Sequence, residues 1–363
     1  MWLGRANWAN AAARARSRRS RLLDRTRIRQ LLKLEPDGIA NTIGDAGYRA
    51  DMDLYGHRLS GAELVEAALS HNLDREVHEV ERFCNGELAD IVDVWALRVD
   101  FNKAKAVLRA VKSGATGSRV GEGALPAENP HNTRWISIID SSSNLAEAAS
   151  SINKMRLGTR IFSEVSPEAG LAEYEDALDR AYYRQALKSI PTRGPHFCLK
   201  RYLRMEIAHR DVLNVMRAMR QGLSNEKRAQ IFVPGSGLSK ATEKALLSAQ
   251  NNDDILAALR RTPSFDDEGL EAAFAAVDSG ISLDPVVDLF HHKRSELLLR
   301  FSHLNPISGV PIVYYIERKL LEVENLRLLV RGKAAGLPEG IIEAYLTLSG
   351  GRRMEIAVVG NPE

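Results

Sequence analysis

The sequence is poor in cysteine, in unbroken apolar runs and in strand signals, and each shortage excludes something. Cys84 and Cys198 are the only cysteines in 363 residues; they stand far apart and no CxxC occurs. A structural zinc site takes about four soft ligands, so cysteine-based metal binding is not expected. Two isolated thiols read instead as small core residues in a reducing compartment. No window of about 18 apolar residues exists, so no membrane span is expected. The nearest stretch, Phe301–Ile316, is interrupted by Pro306, Gly309 and Pro311. Strand-like patterning is confined to Trp135–Ile139 and, shorter still, Ile231–Val233.

Familiar catalytic constellations are missing too. The glycine-rich stretches Gly114–Gly123 (GATGSRVGEG) and Pro234–Lys240 (PGSGLSK) do not have the G-x-x-x-x-G-K-[ST] spacing that cradles phosphates, and neither follows a strand pattern. His291 and His292 are adjacent, so on a helix their rings diverge by about 100° and cannot share a metal. No serine has a G-x-S-x-G context. The acidic pairs Asp253-Asp254 and Asp266-Asp267 sit where helix starts need N-caps. The sequence offers no catalytic residue, no metal ligand set and no cofactor site.

What the chain does have is helix. Charged residues make up 27% and apolar ones 44%, an ordinary globular composition with a net charge of only +3. Apolar residues recur at helical spacing through almost the whole periodic chain, which predicts an all-α fold. Expected helices cover residues 2–20, then a second capped by Asp24 and broken at Pro36-Asp37-Gly38, then 39–44, 60–69 with a Ser60/Glu63 capping box, 72–84 and 88–113. Later ones cover 145–155, 170–190, 197–221, 240–250, 253–260, 267–279, 285–301, 311–335 and 338–348. Residues 114–129 and 233–237 read as linkers.

The N-terminal 29 residues carry nine arginines, among them Arg14, Arg16, Arg18 and Arg19, against the single acid Asp24. Nucleic acid or anionic lipid could bind such a face. However, the opposite face is mainly alanine, which suits close helix packing better than a membrane.

One fifteen-residue segment occurs three times without gaps: Asp100–Gly114, Ala208–Gly222 and Glu322–Gly336. Position ten is arginine in each (Arg109, Arg217, Arg331), position eleven is small (Ala110, Ala218, Gly332) and position fifteen is glycine (Gly114, Gly222, Gly336). Positions five, eight and nine are apolar, one face of a helix. The glycines fall where a left-handed helix cap belongs. The arginines fall in a last turn, where a cation offsets the helix dipole. The copies lie 108 and 114 residues apart, which predicts three tandem helical units of about 110 residues, at 1–125, 126–237 and 238–363, around a central concavity. Further correspondence is expected between 178–183, 77–83 and 287–292, and between 255–265 and the stretch 31–48.

The segment Asn305–Leu346, NPISGVPIVYYIERKLLEVENLRLLVRGKAAGLPEGIIEAYL, resembles the C-terminal end of the C subunit family of archaeal and bacterial A/V-type ATP synthases, the family of the eukaryotic V-ATPase d subunit. Glu324, Asn325, Leu326, Arg327, Arg331, Gly332, Lys333, Gly336 and Pro338 stand at its pattern positions. Ala12-Arg14-Arg16-Ser17-Arg18 followed by Ser20-Arg21-Leu22-Leu23-Asp24 is similar to its opening. Two departures stand out: residues 115–151 find no match, and the middle copy has Asp211-Val212 where the Asn-Leu pair belongs.

The resemblance implies a non-catalytic, cofactor-free funnel on the cytoplasmic side of a membrane, peripheral and monomeric within its complex. Its partners would be rotor-ring proteolipid subunits and central axle subunits, and its role the coupling of ATP to proton or sodium transport. Arg109, Gly114, Arg217, Gly222, Glu324, Asn325, Arg327, Arg331, Gly336, Arg14, Arg16 and Arg18 are the candidate structural or interface residues. The alternatives are an α-helical scaffold for another partner, and a nucleic-acid binder acting through the Arg-rich start.

Overall fold

The computed structural model describes residues 6–121, 124–155, 157, 160–280 and 282–348. Residues 2–5 of the first expected helix, Glu122 and Gly123, and residues 349–363 of the third expected unit lie outside them. Every regular element among the described residues is helical.

Local chemistry explains many boundaries. The first helix, α1 (Trp8–Arg19), buries Ala11, Ala12 and Ala15. The Asp24 carboxylate accepts the Arg27 amide and opens α2 (Arg25–Leu31). The second helix ends before Pro36 as expected, but the next begins at Pro36 rather than at residue 39: the proline stands at the head of α3 (Pro36–Ile43), where its missing amide costs no hydrogen bond. A bend at Gly47 (φ +104°) then leads into α4 (Arg49–Tyr55), which the sequence pattern did not reveal.

Next comes α5 (Gly61–Arg82), a single helix where two were expected. In its polar middle Ser70 Oγ donates to the Glu66 carbonyl at 3.0 Å and Asn72 Nδ2 donates to Asp51 at 2.7 Å, while the buried Asn72 Oδ1 accepts no hydrogen bond. Ser60 does precede this helix, but its side chain makes no capping bond. After α6 (Glu87–Ser113) comes the short α7 (Gly117–Val120), within the expected linker. The expected strand at Trp135–Ile139 is α8 (Thr133–Ser141). Trp135, Ile138 and Ile139 are its buried side, an i, i+3, i+4 set that a run so short does not distinguish from a strand. Ile231–Val233 likewise forms no strand.

The remaining helices are α9 (Leu145–Ile152), α10 (Leu171–Ser189), α11 (Phe197–Arg220), α12 (Asn225–Gln230), α13 (Lys240–Ser248), α14 (Asn252–Arg260), α15 (Leu270–Asp278), α16 (Asp284–Leu304), α17 (Val310–Ala334) and α18 (Glu339–Tyr345). Three hairpins of long helices dominate: α5–α6, α10–α11 and α16–α17. In each, the second helix packs mainly on the first helix of another hairpin. Thus α6 lies on α10, α11 on α16, and α17 on α5. These second helices are the ones that carry the fifteen-residue repeat.

Two large cores result. The main one joins α1 to α11 with α17, and includes Trp95, Tyr48 and Leu326. A separate one, with Val212, Leu246, Ile255, Phe274 and Phe290, fills the space between α11, α13, α14, α15 and α16.

Candidate functional site

The long helices meet at a buried polar centre. Arg98 on α6 donates from Nη2 to Glu206 on α11 at 2.7 Å, from Nη1 to Glu317 on α17 at 2.8 Å, and from Nε to the Tyr182 hydroxyl of α10 at 3.0 Å. Trp95 Nε1 donates to Glu317 at 2.8 Å. One guanidinium therefore ties four helices, with its fork matched to two carboxylates. Burial pushes the Glu206 pKa up, but the Arg98 and Arg294 charges outweigh it and leave Glu206 below the ordinary value. Burial keeps Glu317 above its ordinary value despite Arg98.

A recess of about 150 Å³ opens over this centre, lined by Arg98, Asn102, Tyr202, Glu206, His291, Arg294, Glu317 and Glu324 among others. Burial and the adjacent Arg294 push His291 down to about 4, so its imidazole is neutral at physiological pH. Glu324 is exposed on the wall, and desolvation with the Glu317 charge raises its pKa. The recess brings fixed positive and negative groups together on its wall. Among the described residues no cluster of His, Cys, Asp and Glu could hold a metal.

The repeat arginines do something the sequence did not reveal. Arg109 makes a two-pronged pair with Glu175 of α10 at 2.6 and 3.1 Å, and Arg331 an equivalent pair with Glu66 of α5 at 2.7 and 2.6 Å. A second rung repeats one turn earlier. Lys105 reaches Asp179 at 2.6 Å and Arg327 reaches Ser70 at 2.7 Å. So these cations join neighbouring hairpins as well as ending helices. Equating Glu66 with Glu175 aligns residues 178–183 with 69–74, not with the expected 77–83, because the ion pairs fix the register. The third interface differs: Arg217 is exposed, Leu213 holds the second-rung position, and the His209 ring stacks on Phe290 at 3.9 Å instead.

Gly114, Gly222 and Gly336 have φ of +68°, +64° and +70°. Each is followed by a residue whose amide reaches back over the helix end: Ala115 to Ala110, Leu223 to Ala218 and Leu337 to Gly332, all at 2.9 Å. Nothing lies near where a Cβ would stand at these glycines, so alanine there should cost only its left-handed backbone, about 1 kcal/mol each. Urea denaturation of the three single variants and the triple variant should show near-additive losses. Gly332, by contrast, needs its smallness: a Cβ would meet Ile342 of α18 at 2.8 Å.

The other candidates are placed as follows. Asn325 exchanges two 3.0 Å hydrogen bonds with the Thr347 backbone, pinning the chain beyond α18. Arg14 lies 4.4 Å over the Phe83 ring, Arg16 donates to the Pro306 carbonyl at 2.7 Å, and Arg18 pairs with Glu76. Sequence reasoning missed the central group Arg98, Glu206 and Glu317. It also missed Glu322, buried and accepting from the Leu23 amide at 2.6 Å and from Lys319 at 2.9 Å. A usable signal existed for the two cross-hairpin acids: Glu66 and Glu175 stand 43 and 42 residues before Arg109 and Arg217.

The family model described as "ATP synthase (C/AC39) subunit" matches residues 11–345. The C subunit of the A-type ATP synthase of Haloferax volcanii is 30% identical over 351 residues, covering 95% of this chain and 99% of that protein. The corresponding protein of Haloquadratum walsbyi is 30% identical over 91% of this chain and 95% of its own length. That of Archaeoglobus fulgidus is 27% identical over 95% and 97%. With the family pattern running from the arginine-rich start to α18, and relatives matched nearly end to end, this chain belongs to the ATP synthase C/AC39 family.

Proposed function

We propose that the chain is a non-catalytic central-stalk component of an A/V-type rotary ATPase, seated between a rotor ring of proteolipid subunits and the axle subunits. In this reading it consists of three tandem units, 1–125, 126–237 and 238–363, in a pseudo-threefold funnel whose recess receives the axle side. It transmits rotation that links ATP to proton or sodium movement, and it sits on the cytoplasmic face through protein contacts. No helix among the described residues is long and apolar enough to cross a membrane, which is compatible with a peripheral position.

The observation that carries the reading is the closed exchange of helices: α6 on α10, α11 on α16, α17 on α5, tied at the centre by Arg98. A torque coupler has to move as one body. Close-packed helices with both core and ionic ties between sequence-distant segments resist shear in that way. Fixed charges of both signs in the recess suit register-setting contacts with a polar partner. The nucleic-acid alternative is weakened because Arg14, Arg16, Arg18 and Arg19 face aromatic rings, a carbonyl or a carboxylate of the same chain.

Affinity purification of the tagged chain from detergent-solubilised native membranes is the test. Ring and axle subunits should co-purify in constant ratio. Their absence under conditions that keep the ATPase intact would sink the reading.

A further inference from the structure

A second concavity lies away from the recess. It has a volume of about 590 Å³ and runs between the first three turns of α11 and the C-terminal half of α16. On α16 it is lined by Lys293, Glu296, Leu297 and Arg300, whereas the central recess takes His291, Arg294, Ser295 and Leu298. At about 100° per residue these two stripes are roughly 160° apart around the helix. The groove is therefore not an extension of the recess, and its role is separate from the coupling function proposed above.

The floor is apolar: Phe197, Met205 and Leu297, with Phe265 at the far end. Phe197 is 48% exposed, unusual for a phenylalanine. Arg201, Arg204 and Arg300 form the rim; all three are exposed and pair with no carboxylate among the described residues. The neighbouring Lys293 is already held by Asp266 at 2.6 Å, and Glu296 lies 3.1 Å from His292. Arg201, Arg204 and Arg300 outnumber the one carboxylate of Glu296 and leave the rim net positive at the Phe197 end, with Glu268 at the other end. The glycine-rich turn singled out in the sequence forms one wall. Gly237 (φ +80°) lets it lie against Arg204, where a Cβ would come within 3.3 Å of the side chain. From Phe197 to Ala208 the groove spans roughly 16 Å, the length of three helical turns.

We propose that this groove docks an amphipathic helix of a partner protein in the complex, about three turns long, with an apolar face on Phe197, Met205 and Leu297 and carboxylates toward Arg201, Arg204 and Arg300. Apolar contact supplies the affinity, and the arginine rim selects acidic over basic helices.

The test uses the full-length chain and synthetic helices. A fluorescein-labelled peptide of about twelve residues, with leucines at i, i+3, i+4, i+7 spacing and glutamates on the flanks, is titrated by anisotropy. It is compared with the same peptide carrying lysines. The glutamate peptide should bind at least tenfold tighter. The triple variant Arg201→Glu/Arg204→Glu/Arg300→Glu should invert that preference while keeping the wild-type melting curve. Should the triple variant not fold, Arg201→Gln/Arg300→Gln and a salt titration from about 50 to about 300 mM replace it. Both should weaken the glutamate peptide at least several-fold. Equal binding of the two peptides overturns the proposal. So does capture by phosphatidylserine vesicles in preference to the peptide, and so does self-association that the same substitutions abolish.

Discussion

Replacing Arg98 by methionine should destabilise the chain by about 3–5 kcal/mol, the cost of leaving buried carboxylates without their cation. Two carboxylates are stranded at once: Glu206 on α11 and Glu317 on α17, both mostly buried against the same guanidinium. Methionine fills comparable volume, so the loss is one of charge rather than of packing. The pH dependence has a definite sign. Without Arg98, burial raises the folded-state pKa of both acids above the unfolded value. The protonated forms are then favoured in the folded chain, and stability falls as pH rises through the interval between the two values. The deficit relative to the wild type should be full at neutral pH and shrink on acidification toward the ordinary carboxylate range. Thermal melts at a series of pH values would show it. The triple variant Arg98→Met/Glu206→Leu/Glu317→Leu should recover most of the loss, because a buried ionic cluster exchanged whole for apolar groups is often neutral in stability. A single variant that melts like the wild type at neutral pH would disprove the central role of Arg98.

Glu322→Ala should cost a similar amount, again about 3–5 kcal/mol, by a different route. Glu322 is 4% exposed and lies beside Lys319, which is 5% exposed. Its carboxylate also accepts from the Leu23 amide and the Tyr48 hydroxyl. Alanine leaves a buried ammonium with only the Tyr48 oxygen, and an amide with no acceptor. The second consequence falls on the connection between α1 and α2. Trypsin should therefore cut the Arg19–Arg25 segment much faster in the variant while the rest of the chain stays protected. Adding Lys319→Met should restore part of the stability, and the double-mutant cycle gives the size of the coupling. Unchanged tryptic sensitivity at Arg19–Arg25 would refute the assigned role.

How much of this was readable beforehand depends on the distance between interacting residues. The all-α class was readable, because apolar spacing and caps are local: Asp24 and the three glycines act within a turn of where they stand. The strand-like run Trp135–Ile139 misled because an apolar, β-branched run of five residues also fits a buried helix face. The repeat was visible, but its arginines looked like helix-end charges, since their partners Glu66 and Glu175 lie outside the fifteen matched residues. Arg98 and Glu206 occupy the same repeat position with opposite charge. A search for similarity passes over such a pair because what joins the two residues is complementarity. The groove beside Phe197 was hidden for a related reason: its floor and rim come from three segments that only packing brings together.

The exchange of helices also governs how the chain is made. Helix α1 packs on α17, and the Leu23 amide waits for Glu322, 299 residues further along. At ribosomal rates of about 5–20 residues per second, that partner arrives roughly 15–60 s after Leu23 is synthesised. For that interval the alanine face of α1 and the α17-facing side of α5 have no native partner. A nascent chain with an uncovered, arginine-rich first helix is a substrate for chaperones. Truncations that end before α17 should accumulate as chaperone-bound or degraded products, since α17 supplies contacts that no earlier helix replaces.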